Sequence, residues 1–245
     1  MPSISDTVTT ADGACPVTLH TPDGEGPWPA VVMYPDAGGA RPTFRAMADN
    51  LAGYGYAVLV PDVYYREGDW APFSMATVFS DDAERKRLFA MISSVTPERM
   101  TTDAGAFFDY LATRTEVRGQ AFGTTGYCMG GRTSLVVAGR LPERVAAAMS
   151  FHGGGLVADD PASPHLLADS IQAAVYVGAA QDDRSFTTED GQALDKALTA
   201  AGVRHTIEWY PALHGFAVPD NAPYDEAAAQ RHWEATQMFL AAHLG

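Results

Sequence analysis

Short, nearly continuous apolar runs recur along the chain, separated by longer stretches in which apolar residues return every three or four positions. The runs Val17–His20, Ala30–Tyr34, Ala57–Val60, Phe122–Tyr127, Ala146–Phe151, Ala173–Val177 and Thr206–Tyr210 read as strands, because continuous apolarity suits a parallel strand covered on both faces. Helices fall between them. Phe44, Met47, Ala48 and Leu51 share one helical face that stops at Gly53, and Thr96 caps a second helix with Pro97 at its first position, followed by Met100, Ala104, Phe107, Phe108 and Leu111. A third stripe, Ala193, Leu194, Ala197, Leu198 and Ala201, ends at Gly202; Ala229, Trp233, Thr236, Leu240 and Leu244 mark a C-terminal helix. This alternation predicts an α/β class, a doubly wound, mostly parallel sheet with helices on both faces. A first hairpin turning through Gly24-Glu25-Gly26-Pro27 would give it an antiparallel N-terminal edge. The rhythm breaks between Tyr64 and Val95, where Trp70, Phe73, Met75, Phe79 and Phe89 cluster. Residues 66–95 are read as a lid or pocket wall, or else as a packed excursion of the core.

Composition narrows the class of protein. With 245 residues and 47% hydrophobic content, the chain can bury one ordinary core without disulfides or metals, and the absence of repeats and linkers predicts one domain, 1–245. Its 16 basic and 30 acidic residues give a net charge of −14, a surface that repels phosphate backbones and anionic lipid, so neither nucleic acid nor membrane is an expected partner. The first residues lack a basic and then apolar leader, and no apolar run approaches the ~18 residues of a bilayer span, which predicts a cytoplasmic location. Nothing in the sequence indicates an oligomeric state. Cys15 and Cys128 are the only cysteines, and no cysteine and histidine spacing suggests zinc. No metal or organic cofactor is called for.

The chemistry concentrates at Cys128. Gly126-Tyr127-Cys128-Met129-Gly130 passes from an apolar strand into a helix pattern, which is the nucleophile-elbow arrangement with cysteine in place of serine. A nucleophile on so sharp a turn has strained dihedrals, and side chains two residues to either side would collide with strand and helix. At a helix N-terminus the positive end of the dipole favours thiolate. A buried cysteine in a glycine-rich turn is the ordinary alternative. An elbow nucleophile requires an acid and then a histidine downstream. Asp182 and Asp183 follow one late strand and His214 follows the next. His20, His205, His232 and His243 fall within strands or helices, and His165 in a Pro/Asp-rich loop. His152, at another strand end, precedes the acid loop and is placed as a substrate-lining candidate rather than the base.

These residues resemble the dienelactone hydrolase family of the α/β-hydrolase fold. The likeness runs across most of the chain: Tyr34-Pro-Asp36-Ala37-Gly-Gly, Pro61-Asp62-Val-Tyr64-Tyr65-Arg66, the cysteine elbow, Gly178 through Phe186, and His214-Gly-Phe216. It implies Cys128 as nucleophile, His214 as base and an aspartate orienting His214. The family's acid stands three residues before an apolar position, here Phe186, which favours Asp183 over Asp182. It also implies Asp36 as a partner of the resting thiol, and Arg66, with Tyr64 beside it, as the grip on a substrate carboxylate. A second family arginine corresponds to Val218, so the two-arginine clamp is incomplete. The general elbow arrangement makes the backbone amides of Ala37 and Met129 an oxyanion hole. The expected substrate is a small ester or lactone with an activated leaving group, carboxylate-bearing if Arg66 grips it, cleaved through a Cys128 thioester. Two other classes compete: a non-catalytic binding protein that keeps the elbow as architecture, and a peroxide sensor pairing Cys15 with Cys128.

Overall fold

The computed structural model describes residues 1–245. Its strands are β1 (Ser3–Thr10), β2 (Gly13–His20), β3 (Ala30–Tyr34), β4 (Ala57–Pro61), β5 (Phe122–Tyr127), β6 (Val145–Phe151), β7 (Ala174–Asp182) and β8 (His205–Leu213). They form one eight-stranded sheet in the order β1-β2-β4-β3-β5-β6-β7-β8. From β4 to β8 every pairing is parallel, while β1–β2 and β2–β4 are antiparallel. The helices are α1 (Pro42–Ala52), α2 (Asp82–Ser94), α3 (Pro97–Ala112), α4 (Met129–Arg140), α5 (Thr188–Ala200) and α6 (Glu226–His243). This is the α/β-hydrolase architecture, and no helix is long and apolar enough to cross a membrane.

Strand periodicity of two decides how the core divides. On β3, Ala30, Val32 and Tyr34 face a core shared with α3, α4 and α5, whereas Val31 and Met33 face one shared with α1 and α6. The predicted stripe residues are the buried ones: Phe44, Met47, Ala48 and Leu51 on α1, and Leu194 and Leu198 on α5. Thr96 caps α3, its Oγ1 accepting from the Arg99 amide at 3.3 Å, a contact that contributes about 1 kcal/mol.

The predicted N-terminal hairpin is corrected. The antiparallel edge turns at Ala11-Asp12 between β1 and β2, while Gly24–Pro27 lies in the connection from β2 to β3, which passes over the intervening β4. The antiparallel character survives because β2 still pairs antiparallel with β4. The interrupting stretch contains α2 and a small core of its own, in which Phe73, Met75, Val78, Leu88 and Met91 pack on Ala37 and Tyr64.

From β3 the chain winds outward to β4 and then returns past β3 to β5. The loops after β3 and β5 therefore leave the sheet in opposite directions and open a crevice at its carboxyl edge, the usual place for ligands in such sheets.

Candidate active site

Cys128 is the single residue between β5 and α4, with φ 54° and ψ −115°. A side chain in that region costs about 1–3 kcal/mol and persists only where its surroundings fix it. Here they do. A Cβ on Gly126 would sit 1.9 Å from the Gly130 carbonyl oxygen, and one on Gly130 would sit 2.3 Å from that of Tyr34. Strand and helix thus meet backbone to backbone, and the half-buried thiol is lifted to the N-terminus of α4.

Two further loops bring histidine and acid to this turn. His214, just past β8, has Nδ1 2.7 Å from Asp183 Oδ2, and Asp183 Oδ1 accepts from the Ser185 amide at 2.8 Å and from Ser185 Oγ at 2.6 Å. Asp182 makes no such bond and lines the pocket as an exposed carboxylate. Burial alone would raise Asp183, but the bonds from His214 and Ser185 outweigh it and hold the carboxyl below its usual range. Burial likewise acts to lower His214. The Asp183 bond, with the Cys128 sulfur, overrides it and His214 is pushed up to about 10. A folded-state value raised above the ordinary ~6.5 stabilises the fold below that pH, and this stabilisation is lost as pH rises through the folded value. The difference in melting temperature between wild type and His214→Gln should therefore shrink between about pH 7 and pH 10; a difference that grows would mean that His214 folds neutral.

Ala37 and Met129 both line the cavity, and neither backbone amide has a protein acceptor. Tyr64 fixes the first of these residues. It is fully buried, and its hydroxyl donates to the Ala37 carbonyl at 2.9 Å and touches Met129 Sδ at 3.7 Å. Burial, then Asp36 and Cys128, push this phenol up, so it remains a donor. Tyr64, expected beside the substrate, does not line the cavity; its hydroxyl is engaged by Ala37. Tyr64→Phe removes one buried hydrogen bond of about 1 kcal/mol and should lower kcat roughly fivefold with KM little changed. A change confined to KM would return Tyr64 to the substrate.

Three other expectations are corrected by geometry. Arg66 forms a two-pronged pair with Asp103 at 2.7 and 2.8 Å, donates to Asp12 at 2.8 Å and lies over the Tyr65 ring, away from the cavity. All three of its guanidinium nitrogens are engaged by these two carboxylates. His152 is 1% exposed with a φ of 38° and packs edge-on behind His214 at 5.2 Å between ring centroids, so it supports the histidine rather than lining the pocket. Burial, then His214 and His232, push it well down, and it is neutral. Asp36 is also occupied elsewhere: it accepts from the Gly38 amide, Arg41 and Asn221, with no hydrogen bond to Cys128. Cys15 lies fully buried in β2, three strands or about 14 Å of sheet from β5. A disulfide to Cys128 would require unfolding.

The cavity above Cys128 measures about 760 Å³ and includes residues that sequence reasoning did not single out, among them Arg132, Asp160, Arg184 and Ser185. Ser185 lay two positions past the acid and could have been suspected as a turn residue; Arg132 and Arg184 had no distinguishing pattern. No three His, Cys, Asp or Glu side chains converge to hold a metal ion.

Comparison with known proteins agrees with this architecture. The model of the dienelactone hydrolase family matches residues 15–244. A carboxymethylenebutenolidase of Rhodococcus opacus is 30% identical over 233 residues, covering 92% of this chain and 86% of the relative. A crystal structure from Klebsiella pneumoniae subsp. pneumoniae MGH 78578 superposes with a TM-score of 0.85 at 23% identity over 99% of each chain. The dienelactone hydrolase-like promiscuous phosphotriesterase P91, from metagenomic libraries, gives 0.76 at 26% identity over 100% of each. The chain belongs to the dienelactone hydrolase family and is an ester or lactone hydrolase.

Proposed function

We propose that the chain hydrolyses activated esters or lactones through a thioester on Cys128. The observation that carries this reading is the 2.7 Å bond from His214 to Asp183 beside a cysteine raised on the elbow. With Nδ1 engaged, Nε2 is the nitrogen free to exchange protons. The Cys128 thiolate attacks the carbonyl carbon, and the charge that develops on oxygen is met by the Ala37 and Met129 amides, which have no other partner. The intermediate collapses with cleavage of the carbon–oxygen bond, and the His214 imidazolium gives its proton to the departing oxygen, which leaves His214 neutral. His214 then takes a proton from water, which attacks the thioester, and the thiolate is released with the carboxylic acid product.

A thiolate leaves more readily than an alkoxide, so the adduct of a simple alkyl ester returns to reactants. Enolate and aryloxide compete better because their charge is delocalised. Enol lactones and aryl esters are the substrates this chemistry permits, and amides are the poorest. Iodoacetamide tests the assignment: turnover should fall in step with carboxamidomethylation of Cys128, and alkylation should slow markedly in His214→Ala. Turnover that survives complete modification of Cys128 would overturn the mechanism.

A further inference from the structure

We infer that the pocket selects uncharged, apolar acyl groups and disfavours carboxylate-bearing ones; this rests on the Cys128 chemistry proposed above. One side of the cavity is built by Phe79, Phe89, Ile92, Val95, Pro97 and Met100, from α2, its flanks and the start of α3. Phe79 and Phe89 are 56% and 53% exposed. Two aromatic rings left in water at the mouth of a cavity gain by covering an apolar substrate.

The charges facing the cavity give an anion no matching return. Arg132 is paired with Asp160, which lines the same wall, while Arg184, next to Asp182 and Asp183 in the chain, is exposed and forms no ion pair. Two guanidinium groups therefore face Asp160 and Asp182, and His214 is paired with Asp183. The whole chain adds −14. The arginine that would grip a carboxylate, Arg66, is held by Asp12 and Asp103, and Val218 is apolar and fully buried. A carboxylate entering this site sheds water, and the one cation there without a partner, Arg184, is exposed and screened by solvent, so the exchange is costly.

Two 4-nitrophenyl esters separate the possibilities, since they share one leaving group and one acyl length: the hexanoate and the monoester of adipic acid. Wild-type kcat/KM should favour the hexanoate by at least about tenfold. Phe79→Ala and Phe89→Ala, both at exposed positions, should raise KM for hexanoate severalfold with kcat nearly unchanged, and Arg184→Gln should leave adipate monoester turnover as it was. Equal or better turnover of the adipate monoester, or its loss in Arg184→Gln, would overturn the inference. Cys128→Ala separates the two claims: a variant that still hydrolyses both esters defeats the thioester mechanism, whereas selectivity is read from wild type alone.

Discussion

Cys128→Ala is expected to lose ester turnover by at least about a thousandfold while remaining folded. The alanine keeps the Cβ and inherits the strain of φ 54°, so stability should change little; only the nucleophile is gone. What survives is the stabilisation of charge by the Ala37 and Met129 amides acting on direct attack by water, and such residual catalysis is typically far below that of the intact constellation. Cys128→Gly sharpens the argument. Glycine adopts this conformation without a steric cost, so the variant should be about as inactive yet more stable by roughly 1 kcal/mol. Activity and melting temperature moving in opposite directions would show strain held at the reacting residue. If Cys128→Ala retains near wild-type kcat with its circular dichroism unchanged, the nucleophile lies elsewhere.

The parts of this molecule that were legible in sequence are those with a local cause. β3 is buried and apolar at every position, and β5 is buried throughout with only Thr124 and Thr125 polar, so both ends could be read directly. β1 escaped because it is an outer strand in which only Val8 and Thr10 are buried, and α2 escaped because it buries only Leu88 and Met91, too few to draw a stripe. The hairpin was misplaced for a related reason: glycine and proline mark a turn, but not which strands it joins. Around the thiol, the glycine spacing encodes a backbone collision, and that signal lies within five residues. Arg66 has no comparable signal. Its partners come from the β1–β2 turn and from α3, 54 and 37 positions away, and only the assembled sheet edge brings them together.

Arg41→Met is expected to destabilise the fold by about 3–5 kcal/mol, because it leaves a buried carboxylate without its cation. Arg41 is 7% exposed; it donates to Asp36 at 2.6 and 3.0 Å and to Asp220 through two bonds of 2.7 Å. Asn221 donates to the same Asp36 at 3.1 Å. These contacts tie the loop after β3, which carries Ala37, to the segment that follows His214, so one ion network fixes the relative position of oxyanion donor and base. The loss should therefore appear in kcat as well as in denaturant melts, since a displacement of about 1 Å at such a site can cost on the order of a hundredfold. Adding Asp36→Asn to Arg41→Met should recover part of the stability: the carboxamide oxygen still accepts from the Gly38 amide and no longer needs a cation. A double variant no more stable than Arg41→Met would mean that the pair is not what holds the loop. Asp36→Asn alone provides the last discrimination. If Asp36 acts by placing Ala37 rather than by bonding the resting thiol, the variant should lower kcat while leaving the pH profile of Cys128 alkylation in place.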